Sequence, residues 1–299
     1  MAKAEQFLSC HPWVNFLYFA LVLLFSVFLM HPGCLMVSLV TALLYSAMLR
    51  GWDALRQSLR WLLPAALLAA LINPAFTHKG ITVLTYLPSG NPLTLESIVY
   101  GLAAAAMLAA VLVWFTCWNR VLTTDKLVCL FGSIAPALSL LLSMTLRFVP
   151  RFRDQMRAVL AAQQDLNGHP TREPVLHRIK RGSRALSILV TWSLEHAIET
   201  ADSMKGRGYG LPGRTAFTIY RLDRRDRILL VWLSVLGGCV ALGWITGALS
   251  YVYYPALTGS WSLGTAGALL AYLALCLTPC ILERRERKLW QSRSKERKP

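Results

Sequence analysis

Residues 178–210 read RIKRGSRALSILVTWSLEHAIETADSMKGRGYG, and they decide between a bundle confined to a membrane and one that also carries helices working in water. Leu186, Val190, Leu194, Ala197, Ala201 and Met204 recur at helical spacing and line one face with apolar side chains. Arg184, Glu195, Glu199, Asp202 and Lys205 keep the other face polar, so the pattern predicts a water-side helix packed along one seam. The helix is expected over 182–207, about 26 residues and roughly 39 Å long. It ends in Gly206-Arg207-Gly208, where glycine takes the left-handed capping conformation and a cation suits the helix dipole. Arg207 is thereby presented at a tip.

Working upstream, Phe148, Phe152, Met156, Val159, Gln163 and Leu166 repeat the same spacing and predict a first arm, kinked at Pro150 and ending at Asn167-Gly168. The run from His169-Pro170 to Pro174 does not continue a regular helix and reads as the turn between arms. Two arms with similar seams are expected to pack on each other, with both glycine-terminated ends near the cytoplasmic extremity.

The rest of the chain is of another kind. A sequence of 299 residues with 55% hydrophobic and 15% charged residues is too apolar for an ordinary soluble protein. Apolar segments at 13–30, 34–49, 61–75, 98–118, 228–247 and 263–282 give about six spans. The first is long for a signal peptide and lacks a small-x-small cleavage site, so it reads as a retained span. Pro64 is expected near the entry of the third span, where proline costs a helix little. From Asn73 to Pro92 the chain is rich in turn residues, with residues 82–86 a short extended piece.

The net charge of +16 collects beside the spans, which marks cytoplasmic flanks and argues against nucleic-acid binding. Loops carrying Arg50 to Arg60 and Arg120 to Lys126 are therefore inside, as are both termini; Tyr251, Tyr253, Tyr254 and Trp261 form an outer aromatic edge. Residues 127–146 are apolar enough to cross, yet arginines on both sides require them to dip into the membrane or lie along it, broken at Gly132 and Pro136. The expected architecture is an all-α polytopic membrane protein with a cytoplasmic pair of long helices. Its divisions are residues 1–126, the insertion 127–227 and the C-terminal spans and basic tail 228–299.

Catalytic chemistry finds little support. The seven cysteines include no CxxC pair, so neither a disulfide framework nor a zinc site is indicated. No G-x-x-x-x-G-K-[ST] occurs, and the chain is not expected to hydrolyse ATP. Glu195, His196 and Glu199 can be drawn as a metal or acid/base set, but on an exposed helix they read as a solvated face. His31 and His78 read as isolated turn residues. No catalytic residue, metal site or cofactor is assigned, and no ionisable residue sits deep in an expected span. A polytopic enzyme acting on a lipid and an adaptor that recruits soluble partners without transport remain as alternatives. For Arg207 the residues alone allow an ordinary C-terminal cap or a partner contact.

The segments together resemble the transmembrane (T) component of energy-coupling factor transporters, including the cobalt-transport branch, over nearly the whole length. The likeness is carried by His31-Pro32, Asn73-Pro74, residues 79–82 (KGIT), residues 94–101 (TLESIVYG), residues 146–150 (LRFVP), Ala162-Gln163 and, most specifically, residues 201–209 (ADSMKGRGY). The resemblance implies a non-catalytic subunit of an ATP-driven importer in the bacterial plasma membrane, for vitamin or transition-metal uptake. Its partners would be two cytoplasmic ABC-type ATPases, a small substrate-binding membrane subunit and membrane lipid. Family members end each arm in an Ala-Arg-Gly-type motif that docks into an ATPase groove. Gly206-Arg207-Gly208, with Met204 beside it, resembles the second motif, glycine replacing alanine. Leu166-Asn167-Gly168 aligns with the first, asparagine replacing the usual arginine. That asymmetry implies two different ATPase subunits.

Overall fold

The computed structural model describes residues 6–77, 80–86, 92–167, 175–211, 222–259 and 261–296. The chain is all-α and polytopic. In order it forms α1 (Gln6–Ser9), α2 (Pro12–Phe28), α3 (Pro32–Arg50), α4 (Trp52–Phe76), the strands β1 (Val83–Tyr86) and β2 (Pro92–Thr94), α5 (Leu95–Val121), α6 (Thr124–Ile134), α7 (Pro136–Asn167), α8 (Val175–Gly206), α9 (Arg224–Ile245), β3 (Tyr251–Val252), β4 (Thr258–Gly259) and α10 (Leu263–Glu296). Each strand pair is a two-stranded antiparallel hairpin. Two compact units result, Met1–Lys126 with Tyr220–Pro299, and Leu127–Ile219.

In the first unit α3, α4, α5, α9 and the Leu263–Arg285 part of α10 are long and apolar enough to cross a membrane, and α2 is a shorter apolar helix. His11-Pro12 and His31-Pro32 start α2 and α3 in the same way. Each histidine Nδ1 accepts the backbone N–H two residues on, at 3.3 Å from Trp13 and 3.2 Å from Gly33, and proline fills the first helical position. His31 is buried, edge-on to the rings of Trp261 and Tyr251.

The core of this unit is aromatic and polar at once. Phe7, Tyr18, Phe19, Tyr45 and Trp114 are buried, with ring centroids 5.2 Å apart for Phe7 and Tyr18 and 6.1 Å for Tyr18 and Trp114. Ser38 Oγ accepts from Trp114 Nε1 at 3.1 Å and lies 2.7 Å from Ser26 Oγ, which in turn lies 3.0 Å from the Tyr272 hydroxyl. Four helices, α2, α3, α5 and α10, are thus joined by hydrogen bonds that no water competes for.

Several sequence expectations change here. The basic segment 50–60 is not a loop: Gly51, at φ 88°, separates α3 from α4, and Arg56 and Arg60 lie on α4. Pro64 and Pro74 both lie inside that helix. Pro74 has no N–H to offer the Ala70 carbonyl, and α5 approaches at that point. A Cβ on Gly101 would stand 2.5 Å from that carbonyl oxygen and 3.2 Å from Pro74 Cδ, so only glycine permits the contact. The extended piece at 82–86 is β1, and its partner β2 leads directly into α5. Glu96, in the first turn of α5, accepts from the Thr82 hydroxyl at 2.8 Å and the Thr82 N–H at 3.2 Å. Asn73 Nδ2 donates to the Ser97 carbonyl and the Tyr254 hydroxyl, both at 3.0 Å. These contacts pin the hairpin to α4 and α5.

In the second unit the chain breaks at Ala135, where Pro136 opens α7, while Gly132 stays inside α6. The expected break at Gly132 is absent because the i→i+4 pattern runs through to the Ala135 N–H, which donates to Phe131 at 2.8 Å. α7 runs unbroken past Pro150. α8 starts at Val175, ahead of the expected Gly182, which lies within the helix. His78, Lys79, Gly168 and the turn at 169–174 lie outside the described residues.

Candidate functional site

Two helices of 32 residues each, α7 and α8, make up most of the second unit and pack on each other. On α7 the seam is the expected one: Phe148, Phe152, Met156, Val159 and Gln163 are half-buried. On α8 it is not. Leu186 and Leu194 are 54% and 63% exposed, Val190, Ala197 and Ala201 are also exposed, and the covered face is Ala185, Leu189, Trp192, His196, Thr200 and Met204. Ala185, Leu189, His196 and Thr200 each stand one residue before an expected position, a rotation of about 100°, while Trp192 stands two before Leu194 and Met204 belongs to both faces.

The rotation has a local cause. Trp192 and His196, one turn apart, stack at 5.3 Å, and this pair meets the stacked pair Phe148 and Phe152 edge-on. Phe152 stands 5.8 Å from Trp192 and Phe148 6.0 Å from His196. Four rings interlock, which is worth more than the same number of aliphatic contacts at the seam's edge. Arg151 adds charge: its guanidinium lies 5.8 Å from the Trp192 ring, and Nη1 is 2.7 Å from His196 Nε2. Guanidinium only donates, so His196 Nε2 accepts, and Nδ1 carries the hydrogen toward Glu199 Oε2 at 3.4 Å. His196 is therefore a seam residue, and the solvated-face reading holds only for the exposed Glu195 and Glu199.

Gly206 closes α8, and the chain after it folds into a Schellman cap. The Tyr209 N–H donates to the Met204 carbonyl at 3.0 Å and the Gly208 N–H to Lys205 at 2.9 Å, with Gly208 at φ 79°. Arg207 occupies the cap position, its N–H shared between the Ser203 and Met204 carbonyls at 3.2 Å each. Its side chain is exposed, and among the described residues no carboxylate pairs with it. Met204, half-buried, ends the α8 seam just below. Gly206, in contrast to Gly208, has helical geometry and open space where a Cβ would go.

The ring contacts also fix direction. Phe148 meets His196 and Phe152 meets Trp192, so the helices run antiparallel. Asn167 ends α7 at one extremity, and Arg207 ends α8 at the other. At about 1.5 Å per residue the two tips stand roughly 45 Å apart. The expectation that both ends share one extremity is therefore wrong. Gly206, Arg207, Gly208 and Met204 come together at one tip, whereas Leu166 and Asn167 close the last turn of α7 at the other; Gly168 lies outside the described residues. The sequence reading missed Arg151 and Trp192 and put His196 on the solvated face; the i, i+4 pairs Phe148/Phe152 and Trp192/His196 were the signal.

The CbiQ family, described as a cobalt transport protein, matches residues 5–217, from α1 through both arms. The chain is similar to an energy-coupling factor transporter transmembrane protein EcfT of Listeria innocua, 32% identical over 197 residues, which is 61% of this chain and 71% of that one. Proteins of the same description from Lactobacillus helveticus and Lacticaseibacillus paracasei are 30% and 33% identical over 106 residues, 35% of this chain and 38% and 40% of theirs. A match that runs from α1 through α8 and covers well over half of the sequence leaves one assignment: the chain belongs to the CbiQ family of cobalt transport proteins.

Proposed function

We propose that this chain is the transmembrane coupling subunit of an ATP-driven importer of the energy-coupling factor type. It does no chemistry itself. Two cytoplasmic ATPase subunits dock at the arm tips, one at Gly206-Arg207-Gly208 and one at Leu166-Asn167-Gly168. A small membrane subunit binds the substrate, a vitamin or transition-metal ion. Both termini lie in the cytoplasm, on the side where the spans are flanked by arginine.

The observation that carries this reading is the arm pair: two stiff antiparallel helices with tips roughly 45 Å apart, too far for one small groove and suited to two. Arg207 stands on a fixed cap, free to make charge-assisted hydrogen bonds in an acidic or carbonyl-lined groove. The Asn167 tip lacks that charge, which supports two non-identical ATPases. Closure of the ATPase pair on ATP would change the separation of the tips, and the interlocked seam would pass the change along both helices.

Purifying the tagged chain from its native cell tests this. Two distinct ATPases and a small membrane protein are expected in the eluate, and Arg207→Ala is expected to lose one ATPase preferentially. An eluate without nucleotide-hydrolysing partners, or with two copies of one ATPase, would overturn the corresponding part.

A further inference from the structure

The chain leaves the first unit after Lys126 and returns to it at Tyr220. Both passages are flanked, within the first unit, by buried charge. Lys126 is 4% exposed and Asp226 3%. Fully buried lysine and aspartate are rare unless paired, because each loses its hydration.

Lys126 Nζ donates to the Leu8 carbonyl at 2.5 Å and the Val121 carbonyl at 3.1 Å. Leu8 belongs to α1 and Val121 is the last residue of α5, so one ammonium serves the carbonyl ends of two helices. Asp226 lies in the first turn of α9, its Oδ1 3.8 Å from Arg225 Nη2, and the same Nη2 donates to Cys10 Sγ at 3.6 Å. Arg225, Asp226 and Lys126 all act electrostatically on Cys10, and Asp226 acts on His11. Segments from α1, the start of α2, the α5–α6 junction and the start of α9 therefore meet in one cluster.

We infer that Lys126, Arg225 and Asp226 form an ionic latch by which the N-terminal segment Leu8–His11 ties together, within the membrane unit, the two stretches through which the chain leaves for the arms and comes back. The inference rests on the coupling reading and gives it a mechanical part: a displaced arm moves the bundle only if its root does not slip. Lys126 is a positioning residue.

Cys10 reports on the latch directly. It is 1% exposed, and burial pushes its thiol up to about 11, so the latched protein resists alkylation at neutral pH. The full chain with its partners, in nanodiscs, is treated with a maleimide and Cys10 modification is followed by peptide mass. In proteoliposomes, substrate imported per ATP hydrolysed is measured alongside. Lys126→Met is expected to speed Cys10 labelling about tenfold and to lower the import-to-hydrolysis ratio several-fold, with the same ATPase content. Lys126→Arg, which keeps the cation, is expected to stay within about threefold of the parent on both counts. Cys10 as protected in Lys126→Met as in the parent overturns the latch, and so does a freed Cys10 with an unchanged ratio. Where Lys126→Met does not accumulate, Asp226→Asn is read against the same two outcomes. Absence of ATPases from the parent complex overturns the coupling reading alone, because the labelling result still decides whether the latch exists.

Discussion

The two arms are alike in length and in apolar periodicity, yet only one wears its apolar stripe inward. On α7 the residues that recur at helical spacing are the ones that touch α8; on α8 all of them but Met204 are exposed, and the seam is made by Trp192, His196 and the residues in line with them. Periodicity records every surface that covers a helix, including surfaces supplied by other molecules. Which of two adjacent faces is used within the chain is decided by the strongest local interlock, here four aromatic rings and Arg151.

The largest test of that contrast is Trp192→Ala. Losing its ring contacts is expected to cost about 3 kcal/mol of arm stability, and hydrogen exchange should quicken on both arms together. Equal protection before and after would mean that the aliphatic stripe holds the pair instead. The tips come next. Arg207→Ala is expected to weaken ATPase binding by about 2 kcal/mol, roughly a 30-fold rise in Kd, whereas Asn167→Ala should change it by under about 1 kcal/mol. Equal losses would erase the asymmetry between the arms. Within the α8 tip, Gly208→Ala should destabilise the cap by about 1 kcal/mol, since Gly208 has φ 79°. Gly206→Ala should stabilise the helix by a similar amount, because its site is helical and open. Thermal unfolding of the arms, followed by circular dichroism, separates the two signs. The smallest effect belongs to the outward stripe: Leu194→Ser should leave the stability of the isolated chain within about 0.5 kcal/mol, read as an unchanged Tm.

Much of the architecture follows from composition. Six apolar helices fall where apolar runs fall, and charge at their ends locates the turns, because in hydrocarbon a helix must satisfy its own backbone. Helix limits were less legible. Gly51 marks a stop, but only its backbone angle shows that α4 restarts at once, and at Pro74 inside α4 a neighbouring helix closes over the gap through Gly101. The second-arm cap was readable from Gly206-Arg207-Gly208, down to the conformation of Gly208. The placement of the tips was readable too and was misread. Only seven residues separate Asn167 from Val175, so Asn167 has to lie near the start of α8 and the far end of α8 at the opposite extremity. The latch at Lys126 left no trace in spacing, since its partners are main-chain carbonyls, which carry no side-chain signature.

The Schellman cap has a consequence for anything meant to compete at this surface. Arg207 is already held by hydrogen bonds around its backbone, so docking would forfeit only the freedom of its side chain, at most about 2 kcal/mol. A linear peptide copying residues 203–211 would have to order each backbone unit on arrival, at about 1 kcal/mol or more apiece. An inhibitor drawn from this tip therefore needs a covalent brace that reproduces the left-handed turn at Gly208; sequence identity by itself would leave it orders of magnitude weaker.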